Sequence, residues 1–150
     1  MATADVTVMG AGVFGLAVAY ACARRGARVQ VIDPNGVAAG SSGGLVGALA
    51  PHVPENWNDK KAFQLESLLM AESFWQDVED TGGLSAGYGR LGRVQPLLDM
   101  RAVDFAHARA RTSETLWQGK ATWQVVRRQA LPHWSPESPT GYYVFDTLSG

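Results

Sequence analysis

Cysteine is almost missing from this chain. A single Cys22 among 150 residues rules out an internal disulfide and offers none of the paired spacing that a metal site needs. Such usage fits a reducing compartment, so a cytoplasmic protein is expected. Charge is also scarce, at 18% of residues against roughly 25% in average globular chains. The formal net charge is −1, and the ten arginines and three lysines are scattered. No basic block marks a nucleic-acid or anionic-membrane footprint, and no nucleic-acid partner is expected. Long apolar runs are absent too. The best candidate, Val13 to Ala23, is eleven residues long, where a membrane-spanning helix needs about 20. It also fails as a secretion signal, because Asp5 precedes it and Arg24 and Arg25 follow it, the reverse of a signal peptide's charge order. No membrane span is expected. No Ser/His/Asp triad, metal-ligand cluster or acid/base carboxylate pair stands at suggestive spacing, so catalytic residues stay unassigned and no metal is expected.

What the chain does have is glycine, at 17 residues. The stretch "VTVMGAGVFG", Val6 to Gly15, starts as a short buried strand and then sets three glycines in the order Gly-x-Gly-x-x-Gly. From Val13 to Arg25 the apolar residues Leu16, Ala17, Tyr20, Ala21 and Ala23 return at helical spacing, and Gly26 stands where a helix C-terminal cap belongs. A second alternating strand, "ARVQVID", ends in Asp33. The order strand, tight turn, helix, strand predicts an α/β, Rossmann-like βαβ unit. In it Gly10 permits the turn, Gly12 lets the backbone approach a pyrophosphate, and Gly15 lets the helix pack on the strand. Amides at the helix start face the phosphates, with roughly half a positive charge from the helix dipole behind them. Asp33, eighteen residues after Gly15, is placed to accept hydrogen bonds from a ribose and would repel a 2′-phosphate. The motif alone admits FAD or NAD.

The next segment, "GVAAGSSGGLVGALAPH" from Gly36 to His52, is small-residued and too long for a tight connection. A backbone lying against a planar ring system would need such a composition. Together, "VMGAGVFGLAVAYACARRGARVQVID" and "GSSGGLVGALAPH" resemble the FAD-dependent amine and amino-acid oxidoreductases of the D-amino-acid oxidase superfamily, with its glycine oxidase and D-amino-acid dehydrogenase branches most similar. "GYGRLGRVQPLLD" and "TGYYVFDTLSG" look like strands of that family's substrate domain.

The resemblance implies FAD held by Gly10, Ala11, Gly12, Val13, Phe14 and Gly15 at the pyrophosphate and by Asp33 and Pro34 at the adenosine ribose. It puts Ser41 and Ser42 at the pyrophosphate or ribityl chain, and Gly43, Gly44, Leu45, Gly47, Ala48 and Leu49 along the flavin. Two departures stand out. The sarcosine oxidase branch has basic side chains in that stretch and this sequence has none, and many members carry Glu where Asp33 stands. The resemblance also implies residues 1–84 as the N-terminal part of an FAD-binding domain and 85–150 as the beginning of an α+β substrate domain. The implied activity is oxidation of the C–N bond of an amino acid or secondary amine by hydride transfer to flavin N5. Family members are more than twice as long, so the chain is expected to be truncated, cleaved or split, inactive alone, and dependent on a C-terminal portion or partner chain. A non-catalytic dinucleotide-binding subunit and an NAD-dependent dehydrogenase remain the alternatives.

Further along, Phe63, Leu68, Leu69, Phe74, Trp75 and Val78 predict an amphipathic helix over Asp59 to Asp80, ended by Gly82 and Gly83. A second helix is predicted from Arg101 to Trp117 with Asp99 as cap, then a strand at "ATWQVV" and a turn-rich "LPHWSPESP". Arg90 and Arg93 are read on one strand, pointing to opposite faces. Of Tyr142 and Tyr143, one is expected buried. His52 is read as a loop residue, and His107 and His133 as structural.

Overall fold

The computed structural model describes residues 3–150. It divides into two compact units, Met1–Gly47 and Ala48–Gly150.

In the first unit, strand β1 (Val6–Met9) and strand β2 (Val29–Ile32) pair in parallel with Val6 opposite Val29 and Met9 opposite Ile32. Helix α1 (Val13–Arg24) makes the crossover between them. Its end follows the sequence closely: Gly26, at φ +85°, donates to the Ala23 carbonyl at 2.9 Å and Ala27 to the Cys22 carbonyl at 3.2 Å. These are the paired bonds of a Schellman cap, which needs a left-handed residue after the helix. The buried centre is small: Val8, Ala11 and Ala19. Met9, Phe14, Val31 and Ile32 are exposed. A short one-turn helix, Ser41–Gly43, interrupts the glycine-rich segment.

The second unit holds helix α2 (Asp59–Gly82), strand β3 (Arg93–Pro96), helix α3 (Met100–Leu116), strand β4 (Trp123–Arg127) and strand β5 (Tyr142–Asp146). The strands form an antiparallel sheet in the order β3-β5-β4, with Val94 opposite Phe145 and Val125 opposite Val144. Both helices start on side-chain caps: Asn58 accepts from the Lys61 amide at 3.1 Å and Asp99 from the Ala102 amide at 2.7 Å, each satisfying an amide the helix itself cannot. Gly83, at φ +69°, closes α2. The core gathers Leu68, Leu97, Val103, Ala106, Trp117, Trp123, Val144 and Leu148. Trp117 and Trp123 meet edge to face with centroids 6.1 Å apart, an arrangement their ring quadrupoles favour.

The structure corrects the placement of two arginines. Gly92, at φ +82°, breaks the extended run, so β3 begins at Arg93 and Arg90 lies outside it. The Arg90 guanidinium donates to the carbonyls of Thr147 (2.9 Å) and Lys120 (2.7 Å). Arg93 pairs with the fully buried Asp146 at 3.1 Å, and Asp146 also accepts from the Ser149 amide and hydroxyl at 2.8 and 2.7 Å. Tyr143 is buried and Tyr142 half-buried. Tyr142 stacks under the Arg127 guanidinium, 3.6 Å from its ring centre. His107 and His133 are exposed rather than built into the core.

Candidate functional site

The glycine turn joins β1 to α1. Gly10, at φ +108°, takes a conformation that side chains resist, and its amide extends the β1–β2 pairing by donating to the Ile32 carbonyl at 2.8 Å. Gly15 lies directly on the turn. A Cβ built there would stand 2.0 Å from the Gly10 carbonyl oxygen, so only glycine lets the helix sit this close. A Cβ on Gly12 would reach the Ser42 hydroxyl at 3.1 Å, so the turn is bare on that side as well.

Asp33 ends β2 and binds the turn: one carboxylate oxygen accepts from the Ala11 amide at 2.8 Å and the other from the Asn35 amide at 2.8 Å. These amides, Ala11 first, hold its carboxyl below the usual carboxylate range. An ionised carboxylate has about four acceptor positions, so two bonds leave room for a diol. Ser42 comes from the one-turn helix to the start of α1, where its hydroxyl accepts from the Val13 amide at 2.9 Å. Gly12, the N-cap of α1, has no side chain for this task, and Ser42 performs it from outside the helix while its own proton stays available to an acceptor. The Ala38 amide returns to the Ala11 carbonyl at 2.9 Å. Gly43 is packed tightly, since a Cβ there would stand 2.3 Å from the Ala38 carbonyl oxygen.

Gly10, Ala11, Gly12, Val13, Gly15, Asp33, Ser42 and Gly43 thus meet through direct bonds or close approach. Phe14, Pro34, Ser41, Gly44 and Gly47 lie in the same unit, and Leu45 and Val46 stand there exposed. Ala48 and Leu49 fall in the second unit. There they line a cleft of about 310 Å³ with Gln64, Met70, Phe74 and Trp75 of α2. Gln64 carries no sequence signal, because its partners lie 12 and 14 positions away. Among the described residues no group of His, Cys, Asp and Glu could hold a metal ion, and no helix is long and apolar enough to cross a membrane.

A bare glycine turn at a helix start, a left-handed Gly10 and a carboxylate ending the second strand fit the ADP half of a dinucleotide cofactor. They define the chain as an α/β protein of the dinucleotide-binding class. The chain belongs to the FAD dependent oxidoreductase family named DAO, whose model matches residues 5–147. That family is FAD dependent, which decides the cofactor against NAD.

Over 75 residues the chain is 35% identical to the tRNA 5-methylaminomethyl-2-thiouridine biosynthesis bifunctional protein MnmC of Leptospira interrogans, a match covering 50% of this chain and 12% of that protein. It is 32% identical over 100 residues to the bifunctional protein ThiO/ThiG of a Nostoc species, covering 65% and 15%. The L-amino acid deaminase of Proteus myxofaciens, solved in complex with anthranilate, has the same fold over 99% of this chain and 33% of its own length, with a TM-score of 0.77 and 20% identity. The chain therefore spans only 12% and 15% of the length of these two relatives and a third of that structure.

Proposed function

We propose that this chain is part of a flavoenzyme that oxidises the C–N bond of an amino acid or secondary amine. The observation that supports this reading most is the glycine turn, closed by Asp33 on one side and Ser42 on the other, in a member of an FAD dependent family. The backbone of Ala11 to Gly15 would lie against the pyrophosphate, with Ser41 beside it. The Gly12, Phe14 and Gly15 amides and the Ser42 hydroxyl would be the donors, since the Ala11 and Val13 amides are held by Asp33 and Ser42. Asp33 and Pro34 would take the adenosine ribose. The backbone of Gly43, Gly44, Leu45, Gly47, Ala48 and Leu49 would lie along the flavin. Bound FAD supplies an acceptor, flavin N5, for the hydride of the substrate carbon next to nitrogen. The chain's own contribution is to hold and orient.

In this reading residues 1–84 belong to the cofactor domain and 85–150 open the substrate domain. The small-molecule amine is met with the help of a C-terminal portion or partner chain, in the cytoplasm and without nucleic acid. The name of one relative mentions tRNA. The low and scattered positive charge here supports a small substrate instead.

The test is the visible spectrum of the purified protein during titration with FAD, followed by anaerobic addition of amino acids and secondary amines. A bound-flavin spectrum in this chain, bleached by an amine once the C-terminal portion or partner chain is added, supports the proposal. A protein that stays colourless with excess FAD refutes it.

A further inference from the structure

The cofactor segment runs on into Ala48–His52, and both edges of that strap are occupied. On one side Leu49 exchanges two backbone bonds with Gly150, amide to carbonyl and carbonyl to amide, each 2.8 Å. That reciprocal pair is the hydrogen-bonded unit of an antiparallel ladder. In extended chain the carbonyl of one residue and the amide two residues later point to the same side. The Ala50 carbonyl and His52 amide therefore face away from Gly150, and the residue between them, Pro51, has no amide to leave unpaired.

Among the described residues no strand pairs with that second edge. A side chain does: Gln64 of α2 accepts from the His52 amide through Oε1 at 2.7 Å and donates through Nε2 to the Ala50 carbonyl at 3.3 Å. Its carboxamide has the donor and acceptor of a peptide group, so it completes the ladder as a strand would. Lysine could satisfy only the carbonyl, and a carboxylate only the amide. Next along, Lys61 donates to the Val53 carbonyl at 3.3 Å and to the Glu55 carbonyl, and Arg109 grips the Glu55 carboxylate at 2.8 and 2.9 Å.

We infer that Gln64 is a positioning residue of the cofactor site: it fixes the Ala48–His52 strap in the extended form in which Ala48 and Leu49 meet the flavin. The inference rests on the proposed function for the flavin and on hydrogen bonds alone for the strap. Two readouts test it in the purified protein, site-resolved amide exchange and FAD titration followed by absorption.

Gln64→Leu keeps the size and the helix but removes both bonds. The His52 amide should exchange at least ~10-fold faster, the Leu49 amide should stay protected, and the FAD dissociation constant should rise ~10-fold with a shifted flavin band. Gln64→Glu retains an acceptor for His52 and should return its exchange to within ~2-fold of the unaltered protein. Ser73→Ala, on the same helix but outside the cleft that Ala48 and Leu49 line, with an exposed hydroxyl that bonds back to the Met70 carbonyl, should change neither readout. Unchanged His52 exchange in Gln64→Leu overturns the inference. So does faster exchange with unaltered FAD affinity and spectrum. Failure of the unaltered protein to take up FAD overturns the cofactor reading itself, a result recognisable because it appears without any substitution.

Discussion

Gly15→Ala sets two effects of known sign against each other. Alanine is the better helix former by about 1 kcal/mol, and Gly15 lies inside α1, so propensity alone makes the variant more stable. Space says otherwise. The new Cβ would be 2.0 Å from the Gly10 carbonyl oxygen, 3.0 Å from its carbon and 3.4 Å from Val8 Cγ1, where carbon and oxygen ordinarily stay about 3.3 Å apart. Helix and turn must separate by about 1 Å, and overpacking of that kind costs about 1–3 kcal/mol. The peptide is planar, so moving the Gly10 carbonyl also swings the Ala11 amide that Asp33 holds at 2.8 Å, at a further cost of about 1 kcal/mol. The net expectation is destabilisation by about 1–3 kcal/mol and, because the displaced peptide belongs to the proposed cradle, FAD binding weakened at least ~10-fold. Urea unfolding reads the first and flavin fluorescence titration the second. A variant as stable as the parent, binding FAD within ~2-fold, would refute the argument that this turn has no room.

Other expectations concern charge and backbone. Arg93→Met leaves the Asp146 carboxylate, fully buried, with only Ser149; the loss should be about 3 kcal/mol, at the lower end for a broken buried pair because Arg93 is itself partly solvated, and a urea midpoint implying less than ~1 kcal/mol would contradict it. Gly92→Ala and Gly26→Ala both place alanine at positive φ, +82° and +85°, which costs about 1–2 kcal/mol; only Gly92 adds a clash, 2.7 Å from the Asp146 carbonyl oxygen, so calorimetry should show it clearly the worse of the two. The carboxyls of Asp33, lowered by the Ala11 and Asn35 amides, and Glu55, lowered by the Arg109 guanidinium, titrate below their unfolded values. Their contribution is complete above about pH 4, the unfolded value, and is lost as pH falls through the folded one. Asp33→Asn should therefore flatten the acid limb of the stability curve, and an unchanged limb would remove the group from the account.

How far the sequence could be read depended on how local the deciding interactions are. Helix α1 with its Gly26 stop, the Asp99 cap and the Gly83 terminus are settled within a few residues of chain. Each was therefore legible, and each stands at its expected place to within a residue or two. Arg90 was not, because its partners, Thr147 and Lys120, are 57 and 30 positions away. Alternation suggested one strand carrying both arginines, while the left-handed Gly92 cut that strand short. Asp146 gave no sign of being the buried end of an ion pair, since "YVFD" reads as a strand with a polar end.

The proposed site shows the same division from the other direction. Glycine spacing announces a turn because the constraint, no Cβ at Gly15, acts over five residues; what the spacing does not show is that Asp33 is already bonded to that turn. Sequence reading gave Asp33 one task, meeting a ribose, and the structure gives it an earlier one, holding the Ala11 amide. The two tasks need not compete, because a carboxylate has acceptors for both. They do make the substitution Asp33→Asn informative in a way a simple ligand contact would not be. An amide has one acceptor oxygen where the carboxylate has two. If Asp33 only met the ligand, the variant would weaken FAD binding and leave the ligand-free protein as stable as before. If it also holds the turn, the ligand-free protein loses stability by the same change, and the Ala11 amide exchanges faster before any cofactor is added.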